Sequence, residues 1–535
     1  MHGTFLPFFS LTAAVGLAAA IPAVAGQSTQ FSNGKAATSQ LGQASLTSTA
    51  GDNRGGVASA TTLADPASVA VDPTSGKVFV ADSGNNRVLR YGSTTSLTNG
   101  ASAEAVLGQP NFTITAATVS QSRFSKVRSI CCDDAGRLWV LDDRRVLRFD
   151  AASTLSNGAN ANGVLGQANF ATMVENTGQS GLGQPASLFY SVTGALWVSS
   201  PDLNRVSRFA NASAKANGAN ADTVLGQVDF VAVDPATTRG GMSAPQGLAL
   251  DQAGNLYVAD TGNHRVLVFK NAEIGVNGRN ADTVLGQVLD TDAIAAAGAL
   301  GMDSPLGLTV NSLGTLFVAD QGNDRVLLFK NAANKGDGGS ADGVLGQPDL
   351  DTPSPLSLDR TFSLVEGLWA DGENRLWVAD VGNARVLRFE TDRFQPDAQI
   401  GSKPTLFKGN GIYNLTGVGQ KASVTIDGSK KGKAYVKLEN DGDTTDDLGL
   451  SGPSGNRIIR LSYLDGAGTN VTAQVVAGSL SINGLAAGNA SIVQMQAKGE
   501  RKFKDRSAQY KAKLTAKSKT DDESDRVDCE IGKRP

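Results

Sequence analysis

Residues 255–269 read Asn255-Leu256-Tyr257-Val258-Ala259-Asp260-Thr261-Gly262-Asn263-His264-Arg265-Val266-Leu267-Val268-Phe269. Two short runs of aliphatic, aromatic and β-branched residues flank a Gly-Asn turn, which is the pattern of a β-hairpin. The arginine recurs as Arg87, Arg145, Arg205, Arg265, Arg325 and Arg385, at intervals of 58 residues once and 60 four times. A second mark, Val-Leu-Gly-Gln, follows the hairpins at 106–109, 164–167, 224–227, 284–287 and 344–347, and an outlying copy, Gln40-Leu41-Gly42-Gln43, precedes them all.

Working outward, each unit reads as four strands. Around the quoted hairpin, the first is 247–250 after Pro245, the second 255–260, the third 265–269, and the fourth ends at the Val-Leu-Gly-Gln mark. Few stretches show helical periodicity, so the class is all-β. Four-stranded units repeated six times around an axis form a propeller, which leaves only short, protected edges. Two columns of the repeat are aromatic: Phe79, Trp139, Trp197, Tyr257, Phe317 and Trp377, then Tyr91, Phe149, Phe209, Phe269, Phe329 and Phe389. Repetition in every unit marks them as core between blades, not a ligand box. Cys131 falls in the first-strand column with Ala70, Phe189, Ala249, Thr309 and Trp369, so Cys131 and its neighbour Cys132 are expected to be buried thiols. The ring needs closing, and residues 40–43 are expected to supply the outer strand of the sixth blade beside 385–389.

The runs Val80-Ala81-Asp82-Ser83-Gly84-Asn85-Asn86-Arg87-Val88, 258–266 and 318–326 resemble the NHL repeat, with His264 supplying the middle letter of Asn263-His264-Arg265. The resemblance extends over six copies and implies a six-bladed β-propeller. Blade 2 departs from it with a shortened turn, Asp142-Asp143-Arg144-Arg145, and blade 3 has Ser199-Ser200-Pro201-Asp202, without the first Asp. Asp82 and Arg87, Asp260 and Arg265, Asp320 and Arg325, and Asp380 and Arg385 are expected to clip the turns, each contributing about 0–1 kcal/mol where exposed.

The flanks differ from the repeat. Residues 1–25 form an apolar stretch ending Ala23-Val24-Ala25, read as a cleaved signal peptide, so the mature chain is expected to be secreted, periplasmic or on the cell surface with no transmembrane segment. The propeller is assigned to 26–402 and a small immunoglobulin-like β-sandwich to 403–535. In the latter, 422–426, 434–438, 471–475 and 510–517 read as strands, Val527, Cys529 and Ile531 alternate into a core, and Asn440-Asp441-Gly442 reads as a hairpin turn. The lysines among 510–517 belong to a solvated strand face. Adjacent Cys131 and Cys132 with distant Cys529 make no disulfide framework.

Charge and composition narrow the function. Residues 403–535 carry 21 Lys+Arg against 15 Asp+Glu, leaving 27 against 36 for residues 1–402. An acidic propeller opposes the phosphate contacts through which animal NHL proteins hold RNA, so no nucleic-acid partner is expected. Peptide-amidating lyases resemble this fold and use a zinc site of several histidines, whereas His2 and His264 are the only two here. Lactonase-like propellers hold calcium near the channel with Glu, Asn and Asp, and no such set can be picked from dispersed residues. No cofactor is expected. Calcium is the ion kept open, there and at Asp441-Gly442-Asp443-Thr444-Thr445-Asp446-Asp447, which lacks the EF-hand spacing and reads first as a polar turn.

The loops 110–128, 168–186, 228–246, 288–306 and 348–366 are expected to emerge at one end of the ring, with Arg128, Gln246 and Glu366 at the axis. Matching blades that end in unlike side chains point to a ligand site at that mouth. The expectation is a monomeric, exported, non-catalytic scaffold binding a protein, peptide or glycan. Its rival is a calcium-type lactonase, or another metal-dependent hydrolase or lyase, with the metal in the channel.

Overall fold

The computed structural model describes residues 31–351, 358–426, 431–500, 509–521 and 523–533. The signal-peptide reading of residues 1–25 lies outside them, as does part of the loop 348–366. The chain divides into two compact units between Thr391 and Asp392. That break comes ahead of the one expected after residue 402, because Pro396–Lys403 is a strand paired along its length with Gly432–Asn440 in the second unit.

The first unit is a ring of six four-stranded antiparallel sheets. Blade 4 is Pro245–Leu250, Leu256–Asp260, Arg265–Phe269 and Thr283–Leu285, in that order from the axis outward. Ser39–Leu41 pairs with Arg385–Phe389, Gln40 opposite Leu387, and so completes blade 6 from the other end of the repeat. Inner strands neighbour one another round the ring, with Val365–Ala370 against Pro66–Val71 at the seam.

Six apolar clusters each join two adjacent blades. Phe79 and Phe149 meet between blades 1 and 2, Trp197 and Phe269 between 3 and 4, and Trp377 and Tyr91 between 6 and 1. Both aromatic columns are thus inter-blade core, and truncating a buried Trp or Phe to Ala typically costs about 3–5 kcal/mol. Cys131 and Cys132 are buried free thiols within this packing, and burial raises the pKa of both.

A polar stitch, unnoticed in the sequence, runs round the ring in parallel. Asn99, Asn157, Asn217, Asn277 and Asp337 each precede a glycine, and each side chain accepts the outer-strand N–H of the preceding blade at 2.9–3.0 Å. Asn33-Gly34 is the sixth copy. Its side chain accepts the Val344 N–H at 3.0 Å and Gly34 donates to the Val344 carbonyl, so the N-terminal segment closes the ring by two means. The left-handed backbone at these glycines (φ 61° at Gly34, 67° at Gly158) is what turns both groups onto one strand.

The second unit is a sandwich of two five-stranded sheets. One runs Leu406–Lys408, Pro396–Lys403, Gly432–Asn440, Ala490–Gly499, Ile459–Leu464; the other runs Lys421–Ile426, Ser524–Lys533, Gln509–Ser518, Asp446–Ser451, Leu480–Leu485. Both contribute to one core that includes Ile400, Val436, Leu450, Leu514, Val527, Cys529 and Ile531. Lys421–Ile426 pairs parallel with Ser524–Lys533, and two local expectations change. The stretch 471–475 is largely the helix Thr472–Ala477, since Val471 and Val475, four residues apart, are its buried positions. The Asn440-Asp441-Gly442 turn carries the chain from one sheet to the other, so it is no hairpin.

Candidate functional site at the propeller mouth

The sequence motif of each blade is spent on holding the loops. Asp260 accepts the Ser243 N–H (2.6 Å), the Asn263 amide (2.8 Å) and Arg265 Nε (2.7 Å), and Arg265 donates onward to Thr237 and Thr238 of its own loop and Asp290 of the next. Gly262 is required here, because a Cβ would lie 2.5 Å from the Ser243 hydroxyl. Blades 1, 5 and 6 repeat this pair at 2.6–2.7 Å, and blade 2 keeps it between Asp142 and Arg145 despite its short turn. These clips are not the exposed pairs expected, since Arg265 and Asp260 are both 0% exposed. Burial raises the Asp260 carboxyl pKa, and the Arg265 guanidinium, the Ser243 N–H and the Asn263 amide counteract that rise. In blade 3 Ser200 stands in the carboxylate position, and buried Arg205 Nε has no partner among the described residues.

His264 has a structural task as well. Its Nδ1 accepts the Ser304 N–H at 3.0 Å, as Asn204 Oδ1 accepts the Ala244 N–H and Asp324 Oδ1 the Leu364 N–H. The three donors, Ala244, Ser304 and Leu364, are non-glycine residues with positive φ (47–53°), each just before an inner strand. The glutamine of Val-Leu-Gly-Gln is equally structural, Gln287 donating to the His264 and Ile294 carbonyls.

What the clips position is a cavity of about 550 Å³ bounded by the inner strands of all six blades. In five blades the strand pairing slips at its first residues, between Pro245 and Leu248, for example, or Val365 and Leu368. Such a bulge redirects a side chain, and here the redirected residues include Arg128, Gln246 and Glu366. All three expected site residues therefore line one cavity. Glycine follows two of them because the blades approach so closely: a Cβ on Gly247 would lie 2.0 Å from the Leu306 carbonyl oxygen.

Four further lining residues matter that the sequence reading did not assign. Asp65 and Lys126 stand beside Glu366, and Phe189 of blade 3 and Trp369 of blade 6 add aromatic lining. Trp369 is partly buried against the clusters of three blade junctions, 6/1, 1/2 and 2/3, from within the channel. The available signal was its column, where Trp369 and Phe189 replace Ala or Thr.

Electrostatically the mouth is mixed. Burial pushes the Glu366 carboxyl up from its usual 4.5 to about 7, Asp65 adds to the rise, and Arg128 and Lys126 oppose it. Arg128 reaches Asp143 at 3.9 Å, yet its Nε is buried without a partner among the described residues. Asp65 and Glu366 are the lining carboxylates, and Lys126 and Arg128 give them cationic neighbours, so the arrangement suits hydrogen bonding to a polar ligand.

The NHL repeat family model matches residues 63–91 and 242–269, which fall in blades 1 and 4. No curated protein matches the chain. Among solved structures it is similar to a gluconolactonase from Xanthomonas campestris (15% identity, 61% of this chain and 87% of that chain, TM-score 0.36). It is also similar to virginiamycin B lyase from Staphylococcus aureus (12% identity, 61% of this chain and 94% of that chain, TM-score 0.35). No helix among the described residues is long and apolar enough to cross a membrane. The family model thus identifies NHL repeats in two blades, and the Asp–Arg clip recurs in five of the six.

Proposed function

We propose that this protein is an exported, non-catalytic binding protein whose propeller mouth takes up the projecting end of a peptide or glycan partner. The observation that carries the reading is the convergence of Arg128, Gln246 and Glu366 from different blades on one cavity, which Phe189 and Trp369 also line. Arg128 keeps a buried nitrogen, Nε, without a partner among the described residues. Unspent donors and acceptors above an apolar surface are the equipment of a ligand pocket.

Peptide and glycan arrays probed with the purified protein test this. A selected species should be recovered chemically unchanged, and its affinity should fall about tenfold or more in Arg128→Ala and in Gln246→Ala. Undiminished capture by both variants contradicts the proposal. One observation favours a second reading, a hydrolase or lyase acting in the same channel: a carboxyl with a pKa of about 7 is suited to proton transfer near neutrality. Turnover of the selected ligand, lost in Glu366→Gln, would establish that reading instead.

A further inference from the structure

We propose that the sandwich unit binds a hard divalent cation of the calcium class at Asp397, Glu439 and Asp441. One carboxylate oxygen from each lies within 4.8 Å of the others. Asp397 and Glu439 are direct partners in the antiparallel pairing of Pro396–Lys403 with Gly432–Asn440, and Asp441 follows the end of the latter strand. Like charges placed directly opposite on one sheet face destabilise it unless something offsets them.

The hydrogen bonding shows how far the offset falls short. Gln399 Nε2 lies 2.8 Å from Asp397 Oδ2, 2.8 Å from Asn410 Oδ1 and 2.6 Å from Glu439 Oε2, so three acceptors share a nitrogen that carries two hydrogens. Gly411 N–H adds a 3.2 Å bond to Asp397 Oδ2, and Lys437 Nζ reaches Glu439 Oε2 at 2.5 Å. Asp397 is 0% exposed, and its other oxygen, Oδ1, is buried with no hydrogen-bond partner among the described residues. A buried carboxylate oxygen left without a donor is costly, and Asp397 belongs to a cluster already rich in acceptors. A cation removes both deficits at once.

The donors choose the ion. Every candidate ligand atom is a carboxylate oxygen, which selects hard cations over zinc or copper. Calcium takes six to eight oxygens in irregular geometry, whereas magnesium demands a near-ideal octahedron, so three carboxylates drawn from two strands and the turn after them suit calcium. Of the acidic run 441–447, only Asp441 joins the cluster; Asp446 instead accepts the Thr520 hydroxyl. The site therefore lies where the chain leaves one sheet for the other, and occupancy would fasten that crossing.

Full-length protein stripped with EDTA should bind one calcium per chain by calorimetry, with Kd at or below about 1 mM. Calcium should also raise the unfolding midpoint. Terbium in the same site should be sensitised by Tyr413, whose hydroxyl donates to Asp441 Oδ2 at 2.6 Å. Asp441→Asn, at a partly exposed position, should weaken calcium about tenfold or more, and Asp397→Asn should abolish binding. Absence of stoichiometric calcium binding overturns the proposal, as does an unchanged Kd in Asp441→Asn, which decides the matter should Asp397→Asn fail to fold. Magnesium binding as tight as calcium overturns the ion class, and loss of calcium binding in Glu366→Gln would place the ion in the channel instead.

Discussion

Two parts of each blade, fourteen residues apart in the chain at Gln246 and Asp260, obey opposite rules. At the turn, Asp–Arg clips recur in five of six blades at 2.6–2.7 Å, completely buried and tied to backbone carbonyls of neighbouring loops. At the mouth, the equivalent inner-strand positions hold Arg128, Gln246 and Glu366, with unspent hydrogen-bonding capacity. Uniformity marks the groups that hold the ring together. Diversity on that constant frame marks the groups free to meet a ligand.

The comparison can be broken first at the clip. Arg265→Met leaves Asp260 charged and buried without its guanidinium, and should cost about 3–5 kcal/mol in denaturant unfolding of the propeller. Blade 3 sharpens the point, because Arg205 already lacks a carboxylate. Ser200→Asp should stabilise by about 1–2 kcal/mol by supplying Arg205 Nε with a charged acceptor, and destabilisation there would mean the clip needs its Gly-Asn turn as well.

At the ring seam, Asn33→Ala removes the acceptor of the Val344 N–H and should cost about 1 kcal/mol, lowering the unfolding midpoint as the equivalent Asn217→Ala should. The smallest effects on stability belong to the mouth, where Arg128→Ala and Gln246→Ala should stay within about 0.5 kcal/mol while ligand affinity collapses. Glu366 adds a pH signature. Its carboxyl is raised from 4.5 to about 7, so the folded state holds a proton more tightly than the unfolded chain. That stability is complete below about pH 4.5 and is lost as pH rises through about 7, and Glu366→Gln should remove this component from the stability–pH profile.

The features legible in the sequence were those that repeat. The period, the aromatic columns and the closing strand at Gln40 are written six times over, so each copy confirms the others. Burial of the Asp–Arg clips was not legible, because it is imposed by loops from two blades, as the Arg265 bonds to Thr237 and Asp290 show. Arg128, Gln246 and Glu366 were found because they interrupt a column. Asp65 and Lys126 were missed because they precede the strands, and only the closed ring brings them to the axis. In the sandwich no repeat was available, and there a parallel pairing, a short helix and the meeting of Asp397 with Glu439 and Asp441 depend on contacts distant in the chain.

The central claim is that the varied mouth, and not the uniform turns, meets the ligand. Calorimetric titration of the array-selected ligand into the wild type and the combined Arg128→Ala, Gln246→Ala and Glu366→Gln variant tests it most directly. One equivalent should bind the wild type, and the variant, still cooperatively folded, should bind at least about 100-fold more weakly. Equal binding by both proteins would contradict the account.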